Sequence, residues 1–104
     1  MLIAAEELSR HLHDPAWMVF DCRHDLKDLQ RGSRLYDEAH VPGAVFAPVE
    51  TVLSGAKNGT NGRHPLPVAE EFAEFLNQQG AGRNTRLVAY DDVGGQYAAR
   101  FWWL

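Results

Sequence analysis

Between Arg86 and Leu104 the chain switches from an unbroken apolar run to helical spacing, across a loop of two carboxylates and two glycines. Leu87 to Tyr90 is short, apolar and flanked by polar residues, which predicts a buried strand. Asp91, Asp92, Gly94 and Gly95 break the run. Tyr97, Phe101 and Leu104 then share one helical face, with Ala98 and Trp102 beside it. An α/β fold binds ligands beyond the carboxyl end of such a strand, near the N–H groups that open the next helix. The loop here carries no nucleophile. Asp91 and Asp92 offer either a metal or acid–base pair or a cap for the following helix, and capping is the commoner use of a carboxylate in that position. Gly94-Gly95 lacks the G-x-G-x-x-G spacing of a dinucleotide site.

A chain of 104 residues allows one small domain. Its hydrophobic fraction of 45% and charged fraction of 23% are those of an ordinary globular protein. A net charge of −4, with the ten lysines and arginines scattered, argues against non-specific binding to nucleic acid or to an anionic membrane. The single cysteine cannot form an internal disulfide and fits a reducing compartment. Met1 to Glu7 has no basic segment and meets acids too early for a signal peptide. No apolar stretch approaches the roughly 20 residues of a membrane span. The expected location is cytoplasmic. Phe101-Trp102-Trp103-Leu104 ends the chain inside an apolar helix with no cap, so either a partner covers this end or the chain is a piece of something longer. The second reading is preferred.

Leu2-Ile3 reads as a short edge strand, and Ala4 to Leu12 as a helix with Ala5, Leu8 and Leu12 inward. His13-Asp14-Pro15 stops it. Trp17 to Cys22 is a near-continuous apolar run, as expected of a parallel strand buried on both faces. Leu26 to Arg34 is charged and irregular, and Leu35 to His40 suggests one helical turn. Val41-Pro42-Gly43 is a turn leading into a strand at Ala44-Val45-Phe46. Residues 54 to 65 form the longest loop, with two Asn-Gly turns. Its Asn58-Gly59-Thr60 fits a glycosylation sequon but reads as a turn in a chain without a signal peptide. From Leu66-Pro67 a helix runs to a stop at Gly80, with Val68, Phe72, Phe75, Leu76 and Gln79 on its inward stripe. This alternation predicts an open, mostly parallel α/β sheet with helices on both faces.

Four segments recur in a recognisable order: Val19-Phe20-Asp21-Cys22-Arg23, Ala39-His40-Val41-Pro42-Gly43-Ala44-Val45, Asn61-Gly62-Arg63-His64-Pro65-Leu66-Pro67 and Val88-Ala89-Tyr90-Asp91-Asp92. With Ala98 to Trp103, they make the chain resemble the N-terminal domain of two-domain rhodaneses, the thiosulfate and 3-mercaptopyruvate sulfurtransferases. Ala39 stands where that family usually has glycine. The resemblance covers nearly the whole chain and implies a rhodanese-like fold, incomplete at its C-terminal end. It also implies a partner, the catalytic C-terminal domain, in which a cysteine heads the loop after a central strand. Asp91 would occupy the corresponding position here, leaving this domain without the catalytic cysteine. Its role would be to pack against the catalytic half as one wall of a cleft for a small anionic sulfur compound. No metal or organic cofactor is implied.

Cys22, the only thiol, admits a second reading as a persulfide carrier, because Arg23 and His24 beside it would lower its pKa. The plainer reading is a small buried residue closing a strand, in a loop with no glycine to let N–H groups converge. A Cys-x5-Arg phosphatase loop is excluded, since Asp28 stands where the arginine would be. The five histidines show no metal-ligand spacing, and His11 and His13, two apart, do not share a helix face. Arg63 and His64, a basic pair on the long loop, either face an anionic substrate or are simply solvated. A third reading is a non-enzymatic interaction module that uses an exposed Phe101–Leu104 face.

Overall fold

The computed structural model describes residues 2–25, 27–49, 52–54, 67, 69–82, 84–92 and 94–103. Among these residues seven elements follow in order: α1 (Ala5–Ser9), β1 (Trp17–Asp21), α2 (Arg31–Glu38), β2 (Val45–Phe46), α3 (Ala69–Gln78), β3 (Arg86–Tyr90) and α4 (Gln96–Trp103). The three strands form a parallel sheet in the order β2-β1-β3. In register, Phe20 lies opposite Val45 on one side and Ala89 on the other.

The central position of β1 follows from its composition. Val19, Phe20 and Asp21 are all buried, and successive side chains of a strand point to opposite faces. Both faces of β1 are therefore covered, as its unbroken apolar run requires. Phe20 is fully buried between α3 and α4, with ring centroids 6.0 Å from Phe75 and 4.8 Å from Phe101. Phe72 meets Phe101 edge-on at 5.6 Å. These contacts join Ala47, Val49 and Leu53 from the segment after β2 into one core. Arg100 Nε adds a 2.7 Å hydrogen bond to the Leu53 carbonyl, tying α4 to that segment.

Several sequence expectations shift. Leu2 and Ile3 form no strand, and α1 ends at Ser9, three residues before Leu12, giving way to turns. The largest difference is α2. It begins at Arg31, inside the stretch expected to be irregular, and ends before His40. Its exterior is polar and its anchors are tertiary: Arg31 pairs with Asp92 across the fold, Arg34 with Asp28, and Gly32 backs onto the Arg23 carbonyl. Contacts of that kind leave no apolar period in the sequence. β3 is less buried than expected, with Leu87 37% exposed. The start of α3 is visible only from Ala69, and Leu66 and Val68 lie outside the described residues, as does most of the long loop. Phe101 is buried, so the expected exposed face at Phe101–Leu104 does not exist at that position. Leu104 also lies outside the described residues.

Two glycine turns are placed as their chemistry demands. Gly43 has φ +79°, and Ala44 N–H donates to the Val41 carbonyl at 2.8 Å. Pro42-Gly43 therefore forms the two central residues of a type II turn that launches β2. Gly80, at φ +91°, ends the chain's helical course after α3.

Candidate functional site

The chemistry-bearing residues gather at the carboxyl ends of β1 and β3, which are adjacent and parallel. At the end of β1, Asp21 is fully buried. Its carboxylate accepts from Arg23 Nε at 3.1 Å to each oxygen, from Arg23 Nη2 at 2.7 Å and from the Arg23 backbone N–H at 3.0 Å. Tyr90 Oη donates a further bond at 3.0 Å from the end of β3. The network reaches outward to the turn before β2. Arg23 Nη2 donates to the Ala39 carbonyl at 2.7 Å, and Val41 N–H donates to Tyr90 Oη at 3.2 Å. The Asp21 carboxylate raises the pKa of the Arg23 guanidinium above its usual value, chiefly through their hydrogen bonds. Burial, the largest cause, likewise raises the Tyr90 phenol. Asp21, Arg23 and Tyr90 thus lock the Ala39–Gly43 turn against the sheet as a buried ion pair with its lone pairs satisfied.

Cys22 follows Asp21 in the chain, between it and Arg23. It is fully buried, and its thiol is pushed up from 9.0 to about 12, first by burial and then by the charges of Asp21 and Asp91. Burial, the largest cause, goes against the lowering that the persulfide reading needs and agrees with the plainer reading of a buried residue closing the strand. A raised thiol pKa favours the protonated form in the fold, so that contribution to stability is complete below pH 9 and is lost as pH rises toward 12. We expect iodoacetamide to leave Cys22 of the native protein unmodified at pH 8 to 9 while alkylating it in urea, with mass spectrometry as the readout. Equal rates in the two states would overturn this account.

At the end of β3 the loop closes on Asp91. Oδ1 accepts from Gly95 N–H at 2.8 Å, and Oδ2 accepts from Tyr97 N–H at 2.8 Å and Ala98 N–H at 2.9 Å. The loop can fold this way because Gly94 and Gly95 both take positive φ, +80° and +94°, which other residues rarely adopt. Three amide donors at the start of α4 converge on one carboxylate, so the capping expectation for Asp91 holds. Asp92 points away, to Arg31 Nη2 at 2.9 Å. The two carboxylates therefore do not act as a pair. Asp91→Ala should cost about 2 kcal/mol, because it leaves three donors to find water. A urea midpoint unchanged from that of the parent chain would refute the assignment.

Three of the five histidines pack against aromatic rings. His11 stacks on Trp17 at 3.9 Å, His40 on Tyr36 at 3.8 Å, and His24 meets Tyr97 edge-on at 5.2 Å. Arg63 and His64 lie outside the described residues. Sequence reasoning overlooked Tyr90 and Arg31, whose partners are distant in the chain, and Gly32. A glycine isolated in a charged stretch was the available sign of a close backbone approach. It also overlooked a pocket of about 340 Å³ between α2 and the ends of β1 and β2, whose lining includes His24, Gln30, Ser33, Phe46 and Val49.

Residues 4–104 match the rhodanese-like domain. This chain belongs to the rhodanese-like domain family. The rhodanese-like chain is 44% identical to a probable 3-mercaptopyruvate sulfurtransferase of Pseudomonas aeruginosa, over 99% of its own length and 37% of the relative's. It is 34% identical to thiosulfate/3-mercaptopyruvate sulfurtransferase 2 of Arabidopsis thaliana, over 99% of its length and 30% of that protein's. The solved structure of 3-mercaptopyruvate sulfurtransferase from Leishmania major superposes with a TM-score of 0.87 at 33% identity, covering 97% of this chain and 28% of that one. The rhodanese-like chain thus spans only 28% to 37% of the length of these relatives, which is consistent with an N-terminal domain. Its open parallel α/β sheet agrees with the expected fold class. Among the described residues no helix is long and apolar enough to cross a membrane.

Proposed function

We propose that this chain is the non-catalytic N-terminal rhodanese domain of a thiosulfate or 3-mercaptopyruvate sulfurtransferase, working beside a catalytic C-terminal domain in a cytoplasmic, reducing setting. The observation that carries this reading is the occupied loop after β3. The converging N–H groups that would stabilise a sulfur anion are taken by the carboxylate of Asp91. Asp91 stands, by resemblance, where the catalytic domain of the family has its cysteine, and a carboxylate does not accept sulfane sulfur as a thiolate does. The one thiol in the sequence is the buried Cys22, whose pKa is pushed up to about 12 by burial and by Asp21 and Asp91.

In the whole enzyme, a cysteine thiolate of the second domain attacks the donor's sulfur. An S–S bond forms and the donor's bond to that sulfur breaks. Cyanide or another thiophilic acceptor then takes the outer sulfur and returns the thiolate. This domain would contribute scaffold and one wall of the cleft, and Arg63 and His64 are its candidates for binding the anionic donor.

The test is a chimera in which this chain replaces the matching third of the Pseudomonas aeruginosa relative. We expect thiocyanate formation from thiosulfate or mercaptopyruvate to survive in the chimera and in its Cys22→Ser variant, and to be absent from the chain alone. A folded but inactive chimera would overturn the scaffold role. Activity of the isolated chain that disappears with Cys22→Ser would instead assign the chemistry to Cys22.

A further inference from the structure

We draw no further inference here: the strongest candidate, the pocket between α2 and the carboxyl ends of β1 and β2 with the exposed Leu29 at its edge, is an apolar recess that nothing in the structure shows to be filled or covered by any particular ligand or partner.

Discussion

Gly32→Ala is expected to destabilise the protein by about 3 kcal/mol or more, enough to leave a large share of a small domain unfolded. On helix propensity alone the sign would be reversed, since alanine in a helix interior is worth about 1 kcal/mol over glycine. Packing decides otherwise. A Cβ on Gly32 would stand 2.2 Å from the Arg23 carbonyl oxygen and 3.4 Å from Phe46 Cε1. The near atom is backbone, so no side chain can swing aside. Either α2 moves off the end of β1 or the Arg23 peptide turns, and that peptide carries the Asp21 network. Urea unfolding followed by circular dichroism measures the effect, with Asp37→Ala on the exposed side of α2 as a control expected within about 0.5 kcal/mol of the parent. A Gly32→Ala protein as stable as the control would show that α2 does not sit this close.

Arg23→Ala should be equally severe, at about 3–5 kcal/mol, for a different reason. The substitution leaves the carboxylate of Asp21 at zero exposure with its cation gone. Tyr90 Oη and the backbone N–H of residue 23 remain as donors, but two neutral hydrogen bonds do not offset a buried charge. Arg23→Lys keeps the charge and loses the forked geometry, so it should fall between the parent and Arg23→Ala. The informative measurement is a double-mutant cycle with Asp21→Asn. Once Asp21 is neutral, removing Arg23 should cost much less than it does in the parent chain. Additive losses would mean that the pair is not the source of the effect. Because Gly32 and the Arg23 guanidinium bear on the same residue, their two substitutions should not be additive either.

The turn at Val41-Pro42-Gly43 illustrates how the local and the distant divide. Pro42 and Gly43 specify a type II turn by themselves, through the fixed φ of one and the positive φ of the other. Where that turn sits is set by Arg23 and Tyr90, which bond Ala39 and Val41 from 16 and 49 residues away. The same division runs through the candidate site. Asp91 as a cap was legible because strand, acid, glycine pair and helix follow one another within a few residues. The burial of Cys22 was legible as that of a small residue closing a strand, but its electrostatic surroundings were not. Its chain neighbours are Asp21 and Arg23, and only the fold brings in the carboxylate of Asp91, 69 positions on, which adds to burial in raising its thiol pKa.

The sequence by itself determined β1, β3 and the last two helices, because apolar period and glycine punctuation are local properties. It also determined the order of segments that marks the rhodanese family. Only the tertiary structure decided the length of α2, the burial of Phe101 and the approach of Asp91 to Cys22. Helix α2 is held by an ion pair to Asp92, 61 residues away, and by a glycine pressed on a carbonyl. Neither contact leaves a periodic trace. The pKa of a thiol depends on which charges and how much water surround it, and both are set by chain segments that meet only when the sheet has formed.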